Sequence, residues 1–455
     1  VSERLSRGTL AVLFAGVLVG ALDIAIVGPA LPSIQATFGV DTRTLQWVFS
    51  IYILVGLISA PLVAKLSDQY GRRGVYAACL GTFGAGSLLV AVAPDFAWLL
   101  AGRAVQAAGA GGLLPVAGAV VADAFPVERR GGVLGLIGAV FGIAFVIGPL
   151  VGGVFLSRGW QWLFLVNLPL VIVLVPASLK LLPRGASAHL RSFDWLGAAA
   201  LGVGLAALVV GLGEIDVERS WASLASVRCL PFLVVAGAAA VVFWHAEQGA
   251  RDPIVDPQLL RSRQLQLVGG VALATGIVEA GMVFLPSLSV LAFDVSSSTA
   301  SFMLLPLVAA LIVGSPTAGR LLDRFGAKPV LQGGLGLTAA GLLVLAHRPL
   351  ELWTFYAGAF CVGMGLAGLL GAPLRFVALE EAGEAHRGAS QGLLTVFLST
   401  GRMIGAAVIG GVVTTGASQL EGFRHALAVL AGVALAAALA ATAMRTRSRA
   451  RRIME

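Results

Sequence analysis

Fourteen stretches of this chain are long and apolar enough to cross a lipid bilayer, and that property decides its fold class. They fall at about 9–31, 44–64, 74–93, 97–123, 131–155, 161–181, 194–213, 229–246, 266–290, 300–320, 327–346, 351–375, 389–416 and 423–443. A run of about twenty residues suffices for a hydrocarbon core of ~30 Å. Composition agrees: 58% of the 455 residues are hydrophobic and 12% charged, against about 25% charged in soluble domains. The 59 glycines would weaken soluble helices but let membrane helices approach closely. No small-residue cleavage site follows the first run, which is therefore read as a membrane helix and not a removed signal peptide. Twelve spans is the competing count, if the seventh and eighth do not both insert.

Charge placement orients the spans. With the N-terminus inside, 22 of the 31 Lys and Arg residues fall in cytoplasmic segments and 6 in external ones, as the positive-inside rule requires. Five arginines crowd into "RTRSRARR", Arg445 to Arg452, a position suited to anionic headgroups and not to nucleic acid. Two loops match: "AKLSDQYGRR" after the second span and "GRLLDRFGAK" after the tenth. Spans 5 and 13 also resemble each other. The expected organisation is a six-helix bundle over 1–182, two linking spans over 183–264, and a second six-helix bundle with a basic cytoplasmic tail over 265–455. Parallel halves of this kind are a transporter architecture, with the substrate site at their interface near the midplane.

The chain resembles the major facilitator superfamily, and within it the fourteen-span drug:proton antiporters. "AKLSDQYGRR" is similar to the superfamily's loop after span 2, "LAGRAVQAAGAG" to its span 4 arginine motif, and "GPLVGG" to the antiporter motif of span 5. "LDIAIVGPALP", "WQWLFLVNLP" and "DWLG" together point to the fourteen-span branch. Departures are Ala64 and Lys65 where the loop normally begins with Gly, Gln161 for an Arg between two tryptophans, and Ala107 and Ala144 for glycines. The resemblance implies an all-α polytopic protein of the inner membrane, with the major facilitator fold and both termini cytoplasmic. It further implies proton-coupled export of small amphiphilic drugs by alternating access. A dedicated exporter of one metabolite or lipid-like molecule is the alternative, and a non-transporting receptor or assembly subunit a third.

Two acids lie deep inside spans, Asp23 and Glu279. Asp23 is 45 residues before Asp68, and Glu279 is 44 before Asp323, so the two occupy nearly equivalent repeat positions. An ionised group at such depth costs at least ~2.5–3.5 kcal/mol unless paired or facing water. Arg103 lies at a similar depth to Asp23, and the resemblance makes it a neighbour. A nearby Arg favours the charged carboxylate and burial the neutral one, so a balanced Asp23 can carry a coupling proton or contact a cation; a permanent structural pair is the other reading. Asp23 and Glu279 on one cavity favour cationic substrates, while Glu279 bonded to a neighbouring helix is equally open. Arg402 is a candidate partner for Glu279. Gln106 and Asn167 are candidate cavity groups or interhelical glue, and Arg375 is expected to snorkel to headgroups. Asp68 and Arg72, with Asp323 and Arg324 in the repeat, are expected at an inner gate. Gly148, Pro149, Gly152 and Gly153 are expected to shape and pack span 5.

No phosphate-binding loop, His/Cys metal cluster or nucleophile–base arrangement is present in the sequence. No cofactor and no enzymatic activity are therefore expected. The expected partners are a small-molecule substrate, protons and the bilayer, with a monomeric protein. Cys79, Cys229 and Cys361 have no disulfide or metal spacing.

Overall fold

The computed structural model describes residues 7–124, 140, 144, 147–183, 194–214, 226–250, 259–347, 350–370, 372–382, 387–414 and 416–445. Among the described residues there is helix and no strand, because in hydrocarbon a helix satisfies every backbone group within its own segment. The helices are α1 (Arg7–Phe38), α2 (Thr42–Ala64), α3 (Arg72–Ala91), α4 (Phe96–Val121), a described piece of α5 (Ile147–Leu156), α6 (Gln161–Leu181), α7 (Trp195–Leu212), α8 (Leu230–Gly249), α9 (Arg263–Phe293), α10 (Ser297–Phe325), α11 (Ala327–Ala346), α12 (Leu352–Glu381), α13 (Ser390–Val413) and α14 (Gln419–Ala443). Thirteen are long and apolar enough to cross a membrane, and the piece of α5 is a shorter apolar helix. The start of the fifth expected span and the tail beyond Arg445 lie outside the described residues.

Helices α1–α4 and α6 pack on one another, and so do α9–α14. Between them, α7 touches both α2 and α13, while α8 packs against α7. Only Ala239 and Glu247 of α8 are buried, and its exposed residues include Leu230, Phe232, Val234 and Val241. That face suits lipid. Asp194 caps α7, its Oδ1 accepting from the Gly197 N–H at 2.8 Å.

The two helix sets are sewn together at one end. Ser33 donates to Ser297 at 2.9 Å, Gln419 to Thr42 at 3.1 Å, and Ser301 to the Pro149 carbonyl at 2.8 Å. Ser298 donates to the Gly153 carbonyl. Arg43, in the first turn of α2, pairs with Glu214 just past α7 at 3.1 Å and reaches Thr414 at 3.4 Å. Gly28 of α1 lies so close to α9 that a Cβ would meet the Val283 carbonyl at 2.8 Å.

At the opposite end, the described hydrogen bonds stay within each set. Thr9 donates to the Leu181 carbonyl, Ser262 to Glu381, Lys328 to the Thr442 carbonyl, and the Arg445 N–H to Gln264. The molecule is thus sealed at the end of the α1–α2, α9–α10 and α13–α14 connections.

The seal yields a prediction. The Arg43–Glu214 pair is 29% exposed on both sides, so Glu214→Gln is expected to cost ~0–1 kcal/mol. Gly28→Leu places a side chain against α9 backbone and is expected to force the sealed end apart. Spin labels on Thr44→Cys and Ala417→Cys, in a background lacking the native cysteines, measure that separation. Gly28→Leu should add a longer distance and Glu214→Gln should retain the short one; an unchanged distance in Gly28→Leu refutes the assignment.

Candidate functional site

Asp23 of α1 and Arg103 of α4 form an ion pair in the interior of the first helix set. Arg103 Nη1 donates to Asp23 Oδ2 at 2.6 Å, and the two side chains are 1% and 0% exposed. Gln106, one turn along α4 on the same face, donates to Asp23 Oδ1 at 2.7 Å and accepts from Arg103 Nη1 at 2.7 Å. It also donates to Ser87 of α3 at 2.8 Å. That reach exists because Gly86 of α3 sits directly on the Gln106 backbone, where no Cβ fits. Arg103 Nε donates to the Val48 carbonyl at 3.1 Å, and its guanidinium lies over the Tyr52 ring at 4.2 Å. Tyr52 donates to the Gly20 carbonyl at 3.3 Å. Buried charge is tolerable when it is paired and its remaining hydrogen-bonding groups are satisfied, and this network meets that condition with α1, α2, α3 and α4.

Asn167 of α6 closes the network. Its Nδ2 donates to Ser87 at 3.4 Å, and its Oδ1 is buried without a hydrogen-bond partner. Tyr52, Ser87 and the Val48 carbonyl were not singled out by sequence reasoning. For Ser87 the available signal was a polar residue in the glycine-flanked stretch "GAGS".

In the other set, Arg402 Nε of α13 donates to Glu279 Oε2 of α9 at 2.9 Å. Backbone contact places them: Gly276 abuts the Leu398 backbone, and Gly401 and Gly405 abut the backbone at Leu273 and Ile277. This pair is more open than the first, with Arg402 25% and Glu279 13% exposed. No hydrogen bond among the described residues links it to Asp23. Each of the two acids holds its own arginine. Arg375 lies toward the end of α12. The helix continues six residues beyond it to Glu381, and its side chain is exposed.

The paired loops turn alike. Gly71 and Gly326 have φ of 91° and 82°, a region costly for other residues, and each N–H closes the preceding helix onto Ser67 and Leu322 carbonyls. Arg72 donates to Ser67 Oγ at 2.9 Å. The Asp68 side chain lies outside the described residues. Asp323 and Arg324 are exposed, with Arg324 over the Phe325 ring at 5.1 Å; neither forms an ion pair among the described residues. On α5, Gly148 abuts Ala25 of α1, Gly152 abuts Pro29 and Ser301, and Gly153 abuts the Phe302 ring. Together with the Pro149 and Gly153 carbonyls, these residues dock α5 on α1 and on the start of α10.

The chain is similar over most of its length to known transporters. It is 29% identical to the multidrug transporter protein MdtP of Bacillus subtilis over 420 residues, covering 91% of this chain and 77% of that one. It is 31% identical to a triacylglyceride transporter of Mycobacterium tuberculosis over 430 residues, covering 89% and 81%. A solved D-xylose–proton symporter shares the fold, with a TM-score of 0.71 at 14% identity, covering 97% and 98%. The model of the Major Facilitator Superfamily matches residues 13–250 and 267–453, and a chain with this helical architecture and this match belongs to that superfamily as a multi-pass membrane transporter.

Proposed function

We propose that this transporter exports small amphiphilic compounds across the inner membrane by proton-coupled alternating access, with the sealed end facing outward and both termini in the cytoplasm. The observation that carries the reading is a fully buried carboxylate on the helix that also makes the seal. Asp23 precedes Gly28 by five residues, or ~8 Å along α1. Neutralising Asp23 removes the partner of Arg103, so the charge state of the site bears on the helix that must move when the seal parts. With 0% exposure, Asp23 exchanges its proton only after the surrounding helices move. That is what coupling demands, because a proton free to equilibrate in every state would leak.

The Glu279–Arg402 pair, partly exposed, is the group cargo meets first. A cation preference gains little support, since each acid already holds an arginine. The similarity to a triacylglyceride transporter favours a second reading, export of one lipid-like molecule. The arrangement of buried groups serves both.

The test is gradient-driven movement of fluorescent amphiphiles (a cation such as ethidium, a neutral and an anionic probe) in proteoliposomes, comparing wild type with Asp23→Asn. At least a tenfold loss in the variant, with unchanged protein level, is expected. Undiminished gradient-driven movement by the variant would falsify Asp23 as the proton carrier, and movement of one probe alone would favour the second reading.

The two ion pairs should also differ in stability. Arg103→Gln leaves Asp23 buried and unpaired, which is expected to cost ~3–5 kcal/mol. Arg402→Gln breaks a pair that water reaches, at a cost of ~1 kcal/mol or less. Thermal unfolding in one detergent should rank them in that order; the reverse ranking would mean the Asp23 network is not the tighter one.

A further inference from the structure

Two polar side chains are buried in the seal without a hydrogen-bond partner. Gln46 and Ser50 of α2 are 1% and 0% exposed, and among the described residues nothing bonds to Gln46 Oε1 or Ser50 Oγ. Such groups are rare inside proteins, because leaving one unsatisfied is costly. The Ser50 N–H closes onto the Gln46 carbonyl at 2.9 Å, so the two lie one turn apart on the same face of α2.

That face is turned to α13. A Cβ on Gly410 would meet Gln46 Oε1 at 2.7 Å, which fixes where the amide points. The opposite face of α2 is engaged within its own helix set: the Val48 carbonyl receives Arg103, Tyr52 reaches Gly20 of α1, and Ser59 abuts Gly111 of α4. Across the seam, α13 reads "MIGAAVIGGVV" from Met403 to Val413 and offers no hydrogen-bonding side chain. The charges beside it, Arg43 and Glu214, hold each other. A third group follows the pattern. Ser287, on the stretch of α9 packed on α1, is 4% exposed, and its Oγ also lacks a partner.

We infer that Gln46 and Ser50 form a contact for a neutral hydrogen-bonding group of the cargo, an ester, amide or hydroxyl, made when α2 and α13 part at the sealed end. An apolar pair of the same size would close this seam at less cost, so an amide and a hydroxyl here serve the open state. Together they supply donors and acceptors one turn, ~6 Å, apart and no net charge, which suits a neutral group and not an ion. Left unpaired in the closed seam, the same two side chains favour its opening. The proposal rests on the export reading above for its cargo, but the contact itself is independent of proton coupling.

The test measures binding without a proton gradient. Full-length protein carrying Gly28→Leu, its opening read by the spin-label pair described above, is placed in phosphatidylcholine nanodiscs. It is titrated with methyl 11-(dansylamino)undecanoate and with N-dodecyl dansylamide, a chain of similar length lacking the ester; empty nanodiscs correct for partitioning. The ester should bind at least fivefold tighter than the alkyl probe. Adding Gln46→Met and Ser50→Ala should abolish most of that preference and leave alkyl affinity unchanged. Binding of neither probe, or a preference that survives both substitutions, overturns the inference. Equal binding of the two probes also overturns it and leaves water as the partner that the side chains meet. A second measurement holds if Gly28→Leu folds poorly or stays shut: thermal unfolding of protein with Gln46→Met and Ser50→Ala alone. Removing two unsatisfied groups should raise the midpoint above wild type. An unchanged or lowered midpoint would mean that the two are satisfied in the closed seam, and overturns the inference. Ester preference without gradient-driven transport would sink the coupling reading and leave this one standing; transport without ester preference would do the reverse.

Discussion

A carboxylate cannot sit ionised and alone in hydrocarbon, and the first helix set is arranged around that constraint. Asp23 draws Arg103 to it, and Arg103 has donors left over, which must also be filled. Gln106, the Val48 carbonyl and the Tyr52 ring fill them. Each of these is anchored on a particular helix, so satisfying one charge fixes the relative placement of α1, α2 and α4. Ser87 and Asn167 extend the same requirement to α3 and α6. Helices in lipid have no hydrophobic force pressing them together, and association relies on close packing and on hydrogen bonds such as these.

The second set solves the same problem more loosely. Glu279 and Arg402 face each other across α9 and α13, joined by a hydrogen bond at 2.9 Å and with residual access. The asymmetry makes physical sense in a machine that must rock. A tightly netted pair holds one set rigid and links its charge state to α1, which forms part of the seal through Gly28 and Ser33. A looser pair leaves the other set a polar surface that cargo can approach. The seal itself is built from neutral hydrogen bonds and one half-exposed ion pair, contributions of about 1 kcal/mol each. Contacts of that size hold an end closed and still let it open.

Much of this was legible in the sequence because charge in an apolar helix is conspicuous. Asp23 and Arg103 stood out by type and depth alone, and the repeat of the two glycine-containing loops was visible before Gly71 and Gly326 showed matching backbone turns. Neutral polar residues were not legible: Ser87 and Tyr52 look like packing residues until a neighbour with spare donors is placed beside them. Ser297, Ser298 and Ser301 were silent for a related reason, since their acceptors belong to distant segments of chain. The near-equal offsets of Asp23 and Glu279 suggested a shared cavity. Offset along a chain, however, does not say which neighbouring helix an acid will face, and Asp23 found α4 where Glu279 found α13.

Arg375 shows that the end of a helix and the end of an apolar span are separate things. The segment after it, "FVALEEA", contains good helix formers, and the helix runs on to Glu381. An exposed arginine six residues, ~9 Å, short of a helix end still reaches headgroups through its long side chain. What forces a charge to find a protein partner is burial: Asp23 and Arg103, at 0% and 1% exposure, hold each other, and the helices around them are placed by that need.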